Sequence, residues 1–593
     1  MVLTLFVWIS SSPAAGNLLP SLDDPDFFAS WRHEPGEMQA GIEERVGEPA
    51  LVLRVADDVD TGWYRIVHET AAREGEAFEL TGWSRGVNLR GGAGAFLTLE
   101  FAGPDGRRIA HVPAFLYPGA PDWAPLRSRA VAPEGAETVR AAAGINGRGE
   151  AQLRALTLRP RGIPEPTDAE RVTLQVTDER AVDAIHGFGA EDDGWFYNPH
   201  NRERGVDDEA IRIREERIRW MAPDWVRMFF WYDDWNPSLD GETFTWDSAN
   251  MESHYRTLDL YEELGAKVNV VGVEWALDMP WEDHERMARM VGSLLEHLIV
   301  ERGYTCVQEW TLTNEPNLFF ARQGGRWEDF VAIHQHVAAE LDRRGLDVAI
   351  TGSDDGDGFS WFHQCAADPG YAAHTSLYAS HFYLKPEELA FAGDLFADRL
   401  DALAEHDPGK PFVITEYGLQ DERTQPPSKN PYMEDYEYAL LSHAFYIDAL
   451  NAGVAGINIW CLHEVYYPGG ERPMNSGLWN FGDRDWSVRP IYHSVASFTR
   501  HANPGDPACR TESTDPARLR GVRIGDTLYW ANVGNEAVTV ALDGFEADTV
   551  RIMTKDTIDG DRETGQVKDI GEDMSFHAPP RSFGYAHGSG GRP

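Results

Sequence analysis

The sequence predicts an α/β protein: a (β/α)₈ TIM barrel flanked by an N-terminal β-sandwich and a small C-terminal β-sandwich. Two patterns predict this. Residues 171–502 alternate short apolar runs with long helical patterns, as repeated βα units do. Residues 20–160 and 503–587 instead contain short alternating runs broken by glycine and proline. A chain of 593 residues is also too long for one hydrophobic core, so several domains are expected.

Eight apolar runs are the candidate strands of the barrel. They are Ala184–Ala190, Trp225–Tyr232, Lys267–Trp275, Glu309–Glu315, Val348–Ser353, Leu377–Tyr383, Pro411–Glu416 and Gly456–Cys461. Helical patterns fall between them, for example at Asp208–Met221 and Trp327–Arg344. Eight βα units in this length of chain are what a closed barrel requires.

The remaining segments have simpler compositions. A proline-rich linker is predicted at 161–170, between the N-terminal sandwich and the barrel. Residues 1–19 combine an apolar stretch with small residues, which resembles a signal peptide without its basic start. This segment predicts a secreted protein, with a cytoplasmic one as the alternative. The glycine-rich tail at 588–593 is predicted to be disordered.

The charge of the chain limits its partners. With 97 acidic and 53 basic residues the formal net charge is −44, which argues against nucleic acid and anionic membrane surfaces as partners. No apolar run after the N-terminus approaches the roughly 20 residues that span a bilayer. The four cysteines lie far apart without metal-type spacing, so we expect free buried thiols, no metal and no cofactor. The oligomeric state stays open.

Two glutamates follow apolar strands at nearly opposite positions of the eight-strand ring. Strand four leads into Glu315, and strand seven ends at Glu416 three βα steps later. Functional side chains of such barrels lie at the C-terminal ends of the strands, where the βα loops form the open face. Two carboxylates that face one cavity are what cleavage of a glycosidic bond requires, one as proton donor and one as nucleophile.

The residues around both glutamates resemble the motifs of glycoside hydrolase clan A, which includes families 5, 30 and 39. The motifs are Asn314-Glu315-Pro316 and Thr415-Glu416-Tyr417-Gly418. The resemblance implies a retaining hydrolase of β-glycosidic bonds in an oligo- or polysaccharide. It also implies that Glu315 is the acid/base and Glu416 the nucleophile, and that Asn314 binds the sugar 2-hydroxyl.

Other strand ends resemble the clan as well. By this resemblance Arg227 of strand two keeps the nucleophile ionised by lowering its pKa. His381 and Tyr383 match a His-x-Tyr motif whose tyrosine contacts the nucleophile, and Trp460 of strand eight matches the floor of the glycone subsite. Gly187-Phe188-Gly189 of strand one resembles family 30. These motifs come from several families, so no single family is assigned.

Further substrate contacts are predicted from chemistry alone. Glu274 and Trp275 end strand three, where an aromatic plane beside a carboxylate suits a sugar ring. Asp192 and Asp193 follow strand one and are candidates of the same kind. The run from Asp354 to Gly358 after strand five is interpreted as a turn with solvated carboxylates, in preference to a calcium loop.

Two alternative functions remain open at this stage. A transglycosylase uses the same covalent intermediate, and a carbohydrate-binding barrel protein without activity has the same fold. The presence of both glutamates argues against the second alternative. The N-terminal sandwich either binds glycan through Trp63, Tyr64, Trp83 or Trp123 or has a structural role.

Overall fold

The computed structural model of the chain describes residues 16–588 apart from 35, 46, 276, 357, 421–430 and 475. Most of the predicted signal segment (1–15) and of the predicted tail (589–593) lies outside the described residues. The chain forms two compact units. The first extends to Pro164 and includes Gly358–Trp361, and the second contains the rest of the chain.

The N-terminal unit consists of antiparallel strands. They are β1 (Trp31–His33), β2 (Gln39–Arg45), β3 (Glu48–Val55), β4 (Trp63–Ala71), β5 (Ala77–Ala102), β6 (Arg108–Leu116), β7 (Ala124–Val131) and β8 (Thr138–Arg161). The long strands β5 and β8 pair with each other and join two halves, β7-β5-β8-β3-β2 and β6-β5-β8-β4-β1. Buried side chains of both halves form one hydrophobic cluster. Trp63 is 60% exposed.

The second unit begins with a strand that corrects the sequence prediction. β9 (Arg171–Val182) lies inside the range predicted for the barrel, but it pairs with two strands of the C-terminal sheet. Its alternating residues Val172, Leu174 and Val176 are buried in the core of that sheet. The predicted linker is also shorter than 161–170 because β8 continues to Arg161.

The predicted TIM barrel is confirmed. Its strands are β10 (Gly187–Ala190), β11 (Trp225–Trp231), β12 (Lys267–Val273), β13 (Val307–Thr311), β14 (Ala349–Gly356), β15 (Leu377–Leu384), β16 (Phe412–Leu419) and β17 (Gly456–Ile459). They are parallel neighbours in the order β10-β17-β16-β15-β14-β13-β12-β11. A parallel bridge between Glu191 and Arg227 closes the ring beyond β10. Gly189 permits this closure, because a Cβ there would lie 1.9 Å from the Trp225 carbonyl oxygen.

Helices connect the barrel strands. They are α1 (Pro199–Arg202), α2 (Asp208–Met221), α3 (Tyr232–Trp235), α4 (Ala249–Leu264), α5 (His284–Glu296), α6 (Trp327–Arg344), α7 (Phe359–Ala367), α8 (Pro369–Ala372), α9 (Ala392–His406), α10 (Tyr436–Ala452) and α11 (Pro490–His501). Local sequence sets their ends: the Ser248 side chain caps the first turn of α4, and Gly265 ends it in a left-handed conformation. Among the described residues no helix has the length and apolarity needed to cross a membrane.

The C-terminal sheet follows α11. Its strands are β18 (Ala508–Ser513), β19 (Leu519–Ile524), β20 (Thr527–Asn532), β21 (Val538–Asp543), β22 (Ala547–Met553), β23 (Gln566–Asp569), β24 (Ser575–Ala578) and β25 (Ser582–Gly588). Together with β9 they form a nine-stranded sheet around a core that includes Trp530 and Phe576.

A buried polar cluster lies near the N-terminal ends of the barrel strands. Glu309 of β13 is 2% exposed, its carboxylate lies 2.8 Å from His186 Nε2 and 3.6 Å from Lys267 Nζ, and it accepts a hydrogen bond from Trp225. Burial alone would raise the pKa of Glu309, but the hydrogen bonds and charge of these partners outweigh it, and the pKa lies below its ordinary value of 4.5.

We expect Glu309→Gln to lower the free energy of unfolding by about 2–3 kcal/mol at pH 7, because the charged acceptor is lost. A carboxyl group whose pKa is lower in the folded than in the unfolded protein stabilises the fold at pH values above its unfolded-state pKa. This stabilisation is lost as the pH falls through the folded-state pKa. The difference between wild type and variant should therefore shrink at pH 3.5. Urea denaturation at both pH values measures it, and a constant difference would contradict this account.

Candidate active site

The two predicted catalytic glutamates converge. One carboxylate oxygen of Glu315, one of Glu416 and a ring nitrogen of His381 all lie within 4.8 Å of one another. His381 Nδ1 is 3.1 Å from Glu315 Oε1 and 3.4 Å from Glu416 Oε2. The Glu315 side chain is 15% exposed and that of Glu416 is 5% exposed. The two carboxyl groups therefore share one pocket, and Glu315 is the more accessible of the pair.

The backbone at the end of β13 places Glu315. Its φ is +46°, in the left-handed region that residues other than glycine rarely adopt. Backbone strain of this kind concentrates at functional sites. Gly356 of β14 provides room for the carboxyl group, because a Cβ there would lie 2.5 Å from Glu315 Oε1. The Asn317 side chain holds Gly356 through hydrogen bonds to both its N–H and its carbonyl group.

Arg227 is the central cation of the site. It is fully buried, and its guanidinium donates to Glu416 at 2.5 Å and to Glu191 at 3.0 Å. It also donates to Asn314 at 2.8 Å and to Asp354 at 2.6 Å. This residue thus joins side chains from four other strand ends. Asn314, predicted to bind a sugar hydroxyl, is held by Arg227 through its side-chain oxygen.

A second chain of contacts runs through His381. Its Nε2 lies 3.1 Å from Asp354, which also accepts a hydrogen bond from Thr415 at 2.7 Å. Burial lowers the pKa of His381, but the charges of Glu416 and Asp354 outweigh it and hold that pKa well above its usual range. Tyr383 donates to Glu416 at 2.5 Å, as its resemblance to the clan tyrosine implies.

The electrostatics of Glu416 differ from the sequence prediction. We expected Arg227 to lower its pKa, but burial outweighs the attraction of His381 and Arg227, and the pKa of Glu416 lies above its ordinary value. The predicted cation is present. Sequence reasoning did not include the desolvation of a carboxylate that is almost completely enclosed.

The run after strand five also differs from its prediction. Asp354 and Asp355 are 1% and 0% exposed, so they are not the solvated turn that the sequence indicated. Arg227 and His381 hold the pKa of Asp354 far below its usual range despite its burial. Sequence reasoning missed Asp354, Thr415 and Glu191 as parts of the site. Their position at the ends of barrel strands was the available signal.

Aromatic side chains form a group beside Arg227, here called the aromatic wall, and the Arg227 guanidinium lies 4.9 Å from the centroid of the Phe229 ring. The Trp460 and Trp275 rings both pack against Phe229, with centroids 5.4 Å and 5.3 Å away, and Tyr467 packs against Trp275 at 5.9 Å. These four residues belong to one cluster in which Trp460, Trp275 and Tyr467 are partly exposed. The aromatic candidates of strands three and eight are thus brought together.

Glu274 is less directly connected to the pair. It is fully buried, it accepts a hydrogen bond from Thr313, and burial raises its pKa to about 8. Its hydrogen bond reaches a neighbour of Asn314, and no contact described for it reaches Glu315 or Glu416. Among the described residues its other carboxylate oxygen has no hydrogen-bond partner, and its predicted contact with a sugar stays a prediction.

The chain matches no protein-family model and no curated protein. It is similar to the solved structure of a family 30 (GH30) endoxylanase from Clostridium papyrosolvens C71, with 11% identity and a TM-score of 0.50 over 71% of this chain and 100% of that one. The catalytic domain of a family 30 xylanase C from Talaromyces cellulolyticus gives 12% identity and a TM-score of 0.52 over 70% and 100%. A conserved exported protein from Bacteroides fragilis gives 11% and 0.52 over 70% and 99%. In its barrel and in the order of its strands, the chain has the fold of glycoside hydrolase clan A.

Proposed function

We propose that the protein is a retaining glycoside hydrolase that cleaves a β-glycosidic bond in an oligo- or polysaccharide. The observation that carries this proposal is the approach of Glu315 and Glu416 to within 4.8 Å, measured between single oxygens. Retaining enzymes hold their two carboxyl groups about 5–5.5 Å apart, whereas inverting enzymes need about 6.5–9.5 Å to fit a water molecule. The fold and the aromatic wall support the same proposal.

In the first step Glu315 donates a proton to the departing glycosidic oxygen while a Glu416 oxygen attacks the anomeric carbon. The C–O bond to the leaving group breaks, and a covalent glycosyl-enzyme forms. In the second step Glu315, now ionised, takes a proton from water, which attacks the same carbon and releases Glu416. Tyr383 and Arg227 each donate to Glu416 and so orient it, and they stabilise its charge when it leaves.

The charged groups around Glu315 and Glu416 allow these two carboxyl groups to differ in protonation. Arg227 and His381 supply two positive charges opposite Glu416 and Asp354. Burial raises the pKa of Glu191 to about 8, although the charge of Arg227 acts in the opposite direction. Glu416 is the carboxyl of the pair that contacts both cations, which favours its role as the anion and nucleophile.

A panel of aryl β-glycosides and β-linked polysaccharides tests the proposal. The anomeric configuration of the first product, followed by proton NMR, should be the β form of the substrate. An α first product would exclude double displacement. Added sugar acceptors distinguish the transglycosylase alternative, since they would divert product from water. A chelator such as EDTA should leave the rate unchanged, because the proposed mechanism uses carboxyl groups alone.

Replacing Glu315 with alanine tests the acid/base role separately. We expect kcat/KM to fall by about 10²-fold for substrates with poor leaving groups, which need protonation, and far less for dinitrophenyl glycosides. The measurement is a plot of log kcat/KM against leaving-group pKa, which should become steeper in the variant. A uniform loss across all leaving groups would contradict the role of Glu315 as the proton donor.

A further inference from the structure

An open pocket lined by arginines lies between α11 and the C-terminal sheet. It holds about 230 Å³ of empty space, and its cations are Arg500 of α11, Arg551 of β22 and Arg562 of the loop after β22. Among the described residues that line it, Glu563 is the single carboxyl group. We call this feature the arginine pocket. Sites for drug-sized ligands usually have about 300–1,000 Å³, so the pocket suits a small ion.

The arginine pocket lies at the opposite end of the barrel from the candidate active site. Trp220 of its lining belongs to the last turn of α2, and Thr499 of α11 donates a hydrogen bond to the next carbonyl group, that of Met221. β11 begins shortly after Met221, so these groups lie near the N-terminal ends of the barrel strands. The predicted catalytic glutamates lie toward the C-terminal ends of the strands.

The charge of the lining is opposite to that of the chain as a whole. The lining has three arginines and one glutamate, whereas the chain has 97 acidic and 53 basic residues. The three guanidinium groups repel one another, and an anion between them relieves this repulsion. Arginine is also the side chain whose planar fork of donors best matches carboxylate and phosphate groups. An excess of arginine in so acidic a protein therefore points to an anionic ligand.

Glu563 neutralises part of this charge from within the chain. Its two oxygens lie 3.3 Å from Arg500 Nε and 3.1 Å from Arg551 Nη2. The described contacts of Arg562 are instead with Glu216, whose carbonyl oxygen accepts a hydrogen bond from Nη1 at 3.1 Å and whose carboxylate lies 3.7 Å from Nη2. A guanidinium group has five N–H donors, so these contacts leave further donors on each of the three arginines.

His501 adds an uncharged donor to the same lining. Its ring packs against Tyr585 with centroids 4.4 Å apart, and among the described residues neither ring nitrogen has a hydrogen-bond partner. Burial lowers the pKa of His501 to about 3, and the positive charges of His587, Arg500 and Arg551 act in the same direction. The ring is therefore neutral at pH 7 and keeps one N–H to donate. An anion in the pocket would meet this N–H as well as the guanidinium groups.

A phosphate-type group fits these donors better than a second carboxylate. A carboxylate has one charge and two oxygens, and Glu563 already brings one to two of the arginines. A phosphate group carries about −1.5 to −2 charges at pH 7, and its three or more acceptor oxygens point in different directions. It can therefore accept hydrogen bonds from several guanidinium groups at once.

We propose that the arginine pocket binds a phosphate or sulfate group between Arg500, Arg551 and Arg562. The two groups share the chemistry that the pocket recognises, a small oxyanion of high charge. Glu563 competes with this ligand, since it occupies donors of the first two arginines. The bound anion joins α11 of the barrel to β22 and the following loop, so it stabilises the folded protein by mass action. The site goes beyond the proposed hydrolysis and does not depend on it.

Calorimetric titration with inorganic phosphate, sulfate, acetate and chloride at constant ionic strength tests the proposal. The wild type should bind phosphate and sulfate, and it should bind acetate and chloride roughly tenfold more weakly or worse. Glu563→Gln removes a negative charge beside the ligand and should bind phosphate about tenfold more tightly. Arg562→Met leaves the ion pairs of Glu563 in place and should bind phosphate roughly tenfold more weakly, the low end for a hydrogen bond to a charged group.

The control variant is Arg510→Met. Arg510 of β18 matches Arg562 in exposure, with 45% of each side chain exposed, and it pairs with Glu179 at 2.8 Å outside the pocket. Its phosphate affinity should equal that of the wild type. Thermal unfolding gives a second measurement, in which phosphate should raise the Tm of the wild type and of Arg510→Met more than that of Arg562→Met. A sugar phosphate and a sulfated sugar, titrated beside the free ions, show whether the group is bound alone or as part of a larger molecule.

Three results would overturn the proposed site. They are no binding of millimolar phosphate or sulfate to the wild type and Glu563→Gln, equal phosphate affinity in all four proteins, or chloride binding as tight as phosphate binding. Each would make the arginines a purely structural link between α11 and the C-terminal sheet. Hydrolysis of aryl β-glycosides, assayed in the same variants, should be unchanged. Failure of the anion site therefore leaves the proposed hydrolysis standing, and failure of hydrolysis leaves the anion site standing.

Discussion

Replacing Glu416 with alanine should lower kcat/KM for β-glycosides by roughly 10⁴- to 10⁶-fold, the range seen when a catalytic nucleophile is removed. The reason is that the nucleophile itself forms the covalent bond to the sugar. Among the described contacts, Glu416 is the carboxyl that both Arg227 and Tyr383 hydrogen-bond, whereas Glu315 contacts His381 and Glu191 contacts Arg227.

A small anion should restore part of this activity, and the configuration of its product should show from which face of the sugar it attacks. The alanine side chain leaves a space between Arg227 and Tyr383, which both donate to Glu416 in the wild type. Azide in this space would attack from the same face as the lost carboxylate and yield a glycosyl azide of inverted, α configuration. NMR spectra of the product from quenched reactions give its anomeric configuration. A variant that hydrolyses as fast as the wild type, or an azide product of β configuration, would show that Glu416 is not the nucleophile.

The barrel could be predicted because its signal is local. Each apolar run between helical patterns is a strand, and the predicted start of β11, β12 and β15 agrees with the structure. Strand four ends at Thr311, earlier than predicted, and Glu315 beyond it has a left-handed conformation that composition does not indicate. β9 was not predicted as a strand, and its residues fell inside the range predicted for the barrel. An alternating strand looks the same whichever sheet it joins, and its partners lie more than 300 residues away.

The site was predicted only where a motif marks it. Glu315, Glu416, Arg227, His381 and Tyr383 converge as expected. Asp354 and Glu191 were missed since their role depends on Arg227, whose side chain reaches Asp354 across the barrel and Glu191 on the neighbouring strand end. Sequence spacing does not show which buried carboxyl a distant arginine contacts. The pKa of Glu416 was misjudged for the related reason that desolvation depends on enclosure by the whole fold.

Replacing Arg227 with methionine should have the second-largest effect, on both activity and stability. Methionine keeps the apolar contacts but leaves Glu416, Asp354 and Glu191 without their shared cation. Removing one partner of a buried ion pair lowers the free energy of unfolding by about 3–5 kcal/mol. Loss of the donor to Glu416 should lower kcat/KM by about 10³-fold. Urea denaturation and steady-state kinetics at pH 7 measure the two effects.

The pH dependence identifies the cause of this destabilisation. Arg227 holds the pKa of Asp354 well below its usual range. The ionised Asp354 therefore stabilises the folded wild type at pH values above the unfolded-state pKa of this group. The stabilisation is lost only as the pH falls through the lower folded-state pKa. The stability gap between Arg227→Met and wild type should therefore narrow in acid. Arg518→Met provides the matched control, because it breaks a buried pair with Asp515 in the C-terminal sheet. That variant should lose stability but keep its kcat/KM. If Arg227→Met retained activity while losing stability, Arg227 would be a structural cation, and the proposed anionic nucleophile would need another source of stabilisation.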